Sequence, residues 1–440
     1  MSTVVVDAVR ADAPTLTSAP SAIRIALLGV GQVGGAVAAF LRTGPLARRF
    51  TITSGLVRDV TRERPSAAHV SLTSDPIVTF HDRPDIVIEA LGGLEPARTL
   101  VLSAIERGIP VVTANKSLLA AHGAELLAAA DRQGVPLRYE AAVVAGVPFL
   151  GTFSRRPLAR AIAELSGIVN GTTNYILSRM SDGQTVFAVA LAEAQRCGYA
   201  EPDPSSDING TDAAEKLCVL IRHFRQGSVS PRQIEPSGID TISRGDLEAA
   251  REFGGVLKPI VHAEWHDDEC SAFAGPAFVP NSHPLSRVDG VQNAVLLRNR
   301  SHGELFFAGP GAGPSVTAAT LLDDATEIAD ECHPRPDATG RIRSAQMGGR
   351  TAELAVSESQ PLRVQPARTG WFVRLPGVVG QHSCLASFGV ELKRASQVAS
   401  GHHSVVLTHP CDRDQITRAL RKFEGRTGCR ASAFRALAEQ

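Results

Sequence analysis

Between Ile23 and Leu41 the chain reads IRIALL, then GVGQVGG, then AVAAFL, so a short apolar strand passes through a glycine turn directly into a helix. Gly29 permits the sharp turn, Gly31 lets the backbone approach a pyrophosphate, and Gly34 allows the helix to pack closely on the strand, while the helix N-terminus offers free amides to the phosphates. The glycine pattern is weak evidence by itself. Placed between a strand and a helix at the head of a domain, it points to a bound dinucleotide.

The alternation continues. Strands are expected at Thr51–Val57, Asp85–Leu91, Pro110–Asn115 and Leu137–Ala142, with helices at Glu95–Arg107 and Lys116–Gln133 between them. Units of about 30 residues in which strands and helices alternate define the α/β class and a Rossmann-type doubly wound parallel sheet. Arg58 follows the second strand, with Arg62 and Arg64 behind it. An arginine there accommodates the extra phosphate of NADP, whereas an acid would bind the ribose of NAD. NADP(H) is favoured, NAD(H) stays open, and the alternative for the three arginines is an ordinary solvated loop. Lys116 falls at the start of its helix, where the macrodipole disfavours an ammonium. That suits proton chemistry or contact with an anionic group, unless the side chain points into solvent.

After Pro148 the strict alternation stops. VHAEW, AGPAFVP and NAVLLRNR read as strands of a second sheet, and Thr317–Cys332 as a helix returning to the first domain. HAEWHDDEC carries two histidines four apart but reads more simply as a strand edge and hairpin turn than as a metal site. GPGAGPSVTA, Gly309 to Ala318, is another glycine-rich turn into a helix. The expected division is a disordered tail at 1–20, a nucleotide domain at 21–147, a second α+β domain at 148–332, a linker at 333–366 and a small α+β module at 367–440.

Composition limits the partners. Lys plus Arg and Asp plus Glu both number 45, and no basic stripe suggests nucleic acid. No apolar run reaches the roughly 20 residues of a membrane span. A small-molecule substrate is expected, with neither nucleic acid nor membrane as partner. The seven cysteines show no paired two-residue spacing, which fits a reducing cytoplasm better than a zinc site or disulfide framework.

Gly167 to Lys216 carries the chemistry. GIVNGTTNYIL and a helix-like AVALAEAQRC lead into GYAEPDPSSDINGTDAAEK. Pro202 and Pro204, with Ser205, Ser206, Asn209 and Gly210, predict a loop of set shape without regular structure, from which Glu201, Asp203 and Asp207 project. Thr211 or Asp212 is expected to cap the next helix, and Asp212 and Lys216, four apart, share its face as a carboxylate beside an ammonium. Such a set could grip a zwitterion and pass it a proton, although exposed pairs of this kind are also common ornaments of a helix surface.

In GVGQVGG, EALGGLEPA, VTANKSLLA, YEAAVVAGVP, GIVNGTTNYIL, GYAEPDPSSDINGTDAAEKL and GPGAGPSVTA the chain resembles homoserine dehydrogenase over roughly residues 23–330, with the motifs in that family's order and spacing. The resemblance implies a dinucleotide-binding domain, a dimerisation region, a catalytic α/β domain, and NAD(P)H-dependent interconversion of aspartate 4-semialdehyde and homoserine on the way to threonine, methionine and isoleucine. It implies Lys216 as proton donor, Lys116 as second lysine near the nicotinamide, and Glu201 and Asp212 as substrate carboxylates with Asp207 alongside. Cofactor contacts implied by similarity fall on Val30, Gln32, Val33, Gly92, Ala114, Lys116, Gly198 and Gly313. A monovalent cation, sodium, would take the carbonyls of Glu140, Val143, Ala145 and Val147. The family implies a homodimer or homotetramer and, with no kinase-sized segment before the nucleotide domain, a single-function form. The tail resembles an ACT-type regulatory module, but GWFVRL runs straight into Pro376-Gly377 and SCLASF is short. Weak threonine feedback and a role in assembly are therefore expected. A dehydrogenase of another amino-acid semialdehyde, and a non-catalytic sensor, are the competing readings.

Overall fold

The structure, a computed structural model, describes residues 22–154, 157–183, 185–225, 229–266, 269–332, 362–376, 383–397 and 403–438. The tail expected at 1–20 and most of the linker expected at 333–366 lie outside these residues.

The nucleotide domain runs through β1 (Ile23–Leu28), α1 (Gln32–Thr43), β2 (Phe50–Leu56), β3 (Leu72–Thr73), α2 (Pro76–His81), β4 (Ile86–Glu89), α3 (Ala97–Glu106), β5 (Val111–Thr113), α4 (Lys116–Gln133) and β6 (Leu137–Arg138). All six strands pair in parallel in the order β3-β2-β1-β4-β5-β6, the doubly wound sheet that the alternation predicts. Both faces are covered, so β1 is apolar on both sides. Ile25 and Leu27 pack with Val37 and Leu41 of α1, and Ala26 and Leu28 pack with Val101 of α3 and Leu118 of α4. The strand order reverses between β1 and β4, and the connections after those strands open a crevice at the C-terminal edge of the sheet.

Three strands, β4, β5 and β6, are shorter than expected. β5 stops at Thr113 because Asn115 leaves the sheet to cap α4, its side chain accepting from Leu118 N at 3.0 Å. β6 stops at Arg138 because Glu140 enters a 3₁₀ turn over Glu140–Ala142. The Glu140 carboxylate accepts the amides of Phe149, Leu150 and Gly151 at 2.8, 2.9 and 2.7 Å, and its own amide donates to Asp324 Oδ2 at 3.1 Å.

The rest of the chain forms α5 (Leu150–Ser154), α6 (Pro157–Arg160), β7 (Ile162–Ile168), α7 (Gly171–Met180), α8 (Phe187–Arg196), α9 (Ser205–Ile208), α10 (Thr211–Phe224), α11 (Arg244–Glu252), β8 (Gly255–His266), β9 (Glu269–Pro280), β10 (Gln292–Asn299), β11 (Gly303–Pro310) and α12 (Pro314–Cys332). The strands read from VHAEW, AGPAFVP and NAVLLRNR are β8, β9 and β10, with β8 and β9 paired as a hairpin. The C-terminal segment adds β12 (Arg363–Pro366), β13 (Gly370–Pro376), α13 (Ser383–Ala386), β14 (Leu392–Gln397), β15 (His403–Thr408), α14 (Arg413–Thr427) and β16 (Ser432–Ala436). Helix α12 returns as expected, burying Ala318, Leu321, Leu322 and Ala325 in the core of the nucleotide domain.

Strands β7, β11, β12 and β16 carry no clear sequence signal, yet they complete a ten-stranded sheet ordered β11-β10-β7-β8-β9-β16-β13-β15-β14, with β12 also on β9. The C-terminal segment is therefore continuous with the catalytic sheet. β12, the last part of the expected linker, pairs with Glu269–Ala272, and β16 pairs through Arg435 and Ala436 with Ala277 and Phe278. Both cover an otherwise unpaired edge of β9. Phe372 stacks on Phe278 at 4.8 Å between centroids, and Arg374 Nε donates to the buried Asp246 Oδ1 at 2.6 Å. Phe372, Val405 and Phe434 share one core with Ile176 and Leu177 of α7 and with Leu247 of α11.

That shared core predicts joint unfolding. Truncating Phe372 to alanine should cost about 3–5 kcal/mol. In a Trp371→Phe background Trp265 on β8 is the only tryptophan, and its fluorescence midpoint in urea should fall with the substitution, because β8 belongs to the same sheet.

Candidate active site

The glycine turn meets the requirements of a dinucleotide cradle. Gly29 has φ +99°, and a Cβ there would lie 2.6 Å from the Ala90 carbonyl oxygen, so a side chain would block the passage of the turn against β4. A Cβ on Gly34 would lie 2.0 Å from Gly29 O, which lets α1 start directly on the turn. A Cβ on Gly31 would meet nothing within 4 Å, so space is open where a ligand would approach. Helix α1 has no side-chain cap and no acid in its first turn, leaving the amides at Gln32 and Val33 to face an anion, next to the buried Val30. Gly92 and Gly93, at φ +73° and +72°, follow β4, and Ala114 and Lys116 follow β5, on the same C-terminal edge. Gly198, at φ +74°, ends α8, and Gly313, at φ +129°, precedes α12.

Arg58 is exposed just past β2. Arg64 is more than loop surface: its Nε donates to Val30 O at 3.0 Å and its Nη1 to Asp59 O at 2.9 Å, strapping the loop to the glycine turn. The sequence reading also passes over Glu89, which is fully buried under this edge. It accepts from Leu91 N at 2.8 Å, Asn115 Nδ2 at 3.3 Å and the Thr113 hydroxyl, while Asn115 Nδ2 also donates to Gly93 O at 2.8 Å. Burial pushes the Glu89 carboxyl up. Its one sequence signal is an acid inside the apolar run DIVIEAL.

The second half of the site forms where α4, α10 and the β7–α7 corner meet. Gly210, at φ +84°, occupies the N-cap of α10, and no side chain caps it. This corrects the expectation that Thr211 or Asp212 would cap: both lie within the first turn, and the Asp212 carboxylate is free for other partners. It is 4% exposed and sits between two ammonium groups, Lys116 Nζ at 3.1 Å from Oδ1 and Lys216 Nζ at 3.0 Å from Oδ2. Lys216 Nζ also donates to Val169 O at 2.7 Å. Asn170 Nδ2 donates to Asp212 Oδ2 at 2.7 Å and to Asp207 Oδ1 at 2.8 Å.

Burial would raise the Asp212 pKa, but Lys216, Lys116 and Asn170 reverse this and bring it down to about 2. Asp207 is raised by burial and by Asp212. For Lys116 burial works against the charge, yet Asp212, Glu215 and Asp207 outweigh it and the pKa is raised. The start of the helix disfavours an ammonium by itself, and the Asp212 carboxylate is the anionic partner that meets Lys116 there.

The structure thereby joins Lys116, Lys216, Asp212 and Asp207, and adds Asn170, which the sequence reading did not single out. Glu201 is exposed, and Gln195 Nε2 donates to the Glu201 and Pro202 carbonyls at 3.3 and 3.2 Å. The loop contains one helical turn, α9, where none is expected, and Asp203 accepts the Ser205 amide beneath it at 3.1 Å. In the turn proposed for a cation, the Glu140 carboxylate is consumed by three amides, and of the four carbonyls Ala145 O already accepts from Thr320 Oγ1. Among the described residues no group of His, Cys, Asp and Glu is arranged to hold a metal, and no helix is long and apolar enough to cross a membrane.

A dinucleotide cradle that opens onto lysines paired with a buried carboxylate defines a nicotinamide-dependent dehydrogenase. Comparison narrows the class. Residues 29–140 match the family model described as homoserine dehydrogenase, NAD binding domain, and residues 148–325 match the homoserine dehydrogenase model. A homoserine dehydrogenase of Lactococcus lactis subsp. lactis is 38% identical over 319 residues, 70% of this chain and 74% of that protein. One of Neisseria gonorrhoeae is 33% identical over 422 residues, 91% of this chain and 95% of that protein. The crystal structure of a homoserine dehydrogenase from Thiobacillus denitrificans superposes with a TM-score of 0.82 at 31% identity, covering 94% of this chain and 98% of that one. The chain belongs to the homoserine dehydrogenase family, oxidoreductases that act on a CH–OH group to interconvert L-homoserine and L-aspartate 4-semialdehyde.

The cradle predicts a sharp steric response. Gly34→Ala should raise the dissociation constant for NADPH at least about tenfold, a penalty of about 1.4 kcal/mol, in a fluorescence titration.

Proposed function

We propose that Lys216 is the proton donor to the aldehyde oxygen, that Lys116 assists at the nicotinamide side, and that Glu201, Asp207 and Asp212 receive the substrate's α-ammonium. The observation that carries this is the double pairing of Asp212 with Lys116 and Lys216. A dinucleotide held by Gly29–Gly34, Gly92, Ala114, Gly198 and Gly313 would supply or accept the hydride through its nicotinamide. Charge builds on the aldehyde oxygen as the hydride arrives, and an ammonium within reach both stabilises it and protonates it. Two of the three Lys216 N–H groups are directed to Val169 O and Asp212, which orients the third. Lys116 comes from the nucleotide domain and Lys216 from the catalytic domain, so the reacting carbon would lie between hydride and proton sources.

We read the cofactor as NADP(H). Arg58 is exposed beyond β2, the strapped Arg64 holds that loop against the glycine turn, and a hyperthermophilic archaeal homoserine dehydrogenase with a TM-score of 0.58 and 25% identity is known in complex with NADPH. Sodium on the carbonyls of Glu140, Val143, Ala145 and Val147 is supported by the engagement of the Glu140 side chain elsewhere. The C-terminal β-α-β-β-α-β order, with the antiparallel sheet β16-β13-β15-β14, supports an ACT-like module. Its continuity with the catalytic sheet favours a role in building the enzyme over a detachable sensor. Seven free cysteines support a reducing compartment.

Two assays test this reading. Lys216→Met should lower kcat for homoserine oxidation by about 10²–10⁴ while the NADP dissociation constant stays within about twofold. Arg58→Ala should lower the ratio of kcat/KM for NADP to that for NAD by about tenfold or more. Equal loss with both cofactors would show that Arg58 does not read the phosphate.

A further inference from the structure

Asn170 stands at the corner between β7 and α7, 5% exposed, with every polar atom of its side chain engaged. Its Oδ1 accepts from Thr173 N at 2.8 Å and from Thr173 Oγ1 at 2.9 Å, capping α7. Its Nδ2 donates to Asp207 Oδ1 at 2.8 Å and Asp212 Oδ2 at 2.7 Å. The orientation is unambiguous: a flipped amide would set its oxygen against two carboxylates and leave the Thr173 amide without an acceptor.

A helix cap uses only the oxygen, and Ser, Thr or Asp would supply it equally well. The two N–H groups are superfluous to the cap, and both go to carboxylates. Those carboxylates come from α9 and from α10, and side by side they repel each other. The preceding residue has a matching task, since Val169 O takes a hydrogen bond from Lys216 Nζ at 2.7 Å. One corner of the chain thus holds the lysine and both acids.

We propose that Asn170 is a positioning residue for the reaction: its amide joins Asp207 to the Asp212 anchor, holding the Asp207 carboxylate in place as a seat for the α-ammonium of the substrate. This rests on the reading of Asp207 as a substrate carboxylate given above. The groups facing Asp207 are Asp212 and Lys216 on α10, Lys116 on α4, and the neutral Asn170. Asp212 and burial favour the protonated form of Asp207, while Asn170 and the lysines favour the carboxylate. Removing the amide donors therefore raises the pH at which Asp207 ionises, and the acid limb of kcat/KM for homoserine moves to higher pH.

The test uses Asn170→Ser and Asn170→Asp, which both retain a capping oxygen, beside Asp207→Asn and the double variant Asn170→Ser/Asp207→Asn. In both Asn170 variants KM for homoserine should rise about tenfold, the loss expected for one hydrogen bond to a charged group. The acid limb should move up by about half a pH unit or more, while KM for NADP stays within about twofold. In the double variant the shift of the limb due to Asn170→Ser should vanish, because the group it acts through is gone. Unchanged homoserine KM and acid limb in Asn170→Ser and Asn170→Asp, with Asp207→Asn impaired, would reduce Asn170 to a helix cap and overturn the proposal. If Asp207→Asn itself behaves as wild type, the assignment of Asp207 fails and the proposal falls with it.

Discussion

The carboxylate of Asp212 is enclosed between an ammonium from each of two domains, and much of the molecule is arranged so that this charge can be buried. An isolated carboxylate at 4% exposure would be costly and would take up a proton. Lys116 and Lys216 prevent that, and Asn170 completes the set. Because Lys116 opens α4 of the nucleotide domain and Lys216 lies in α10 of the catalytic domain, the ion pairs also register one domain against the other. Removing one partner of a buried pair usually costs more than the pair contributes, since it strands the charge that remains.

That arrangement is supported from beneath on both sides. Asn115, held by Glu89, caps α4 and so sets the origin of Lys116, while Val169 and Asn170 at the end of β7 hold Lys216 and the acids. β7 lies inside the ten-stranded sheet, flanked by β8 and β10. The corner that carries the acids is thus tied to the whole sheet, including the C-terminal module joined through β16. The Arg374 to Asp246 contact and the Phe278 to Phe372 stack tie that module to α11 and β9. Rigid supports of this kind keep reacting groups within the small tolerance that catalysis requires.

Legibility in the sequence varied with the range of the interaction. The glycine turn is readable because each glycine answers a local need, a positive φ at Gly29 and a close approach at Gly34. Helix α4 is readable to its ends because Asn115 and Gly134 mark them, Gly134 with φ +66°. The ion pair of Asp212 with Lys216 follows from a spacing of four on one helix. β7, β11, β12 and β16 were not readable, because their pairing depends on edges that other segments supply. The partners of Lys116 were hidden for the same reason: the helix end is visible in the sequence, but Asp212 and Asp207 arrive from far along the chain.

The amino-acid sequence by itself determined the parallel nucleotide domain, the order of its elements, the cradle for a dinucleotide and the membership of the family, since these rest on periodicity, turn chemistry and motif spacing. Only the tertiary structure decided that Lys116, Asn170, Asp207 and Asp212 meet, that Glu201 is exposed, and that the C-terminal module extends the catalytic sheet. Such contacts join groups tens to hundreds of residues apart, and which of them form depends on how sheets and helices fill space together, a property that no short window of sequence contains.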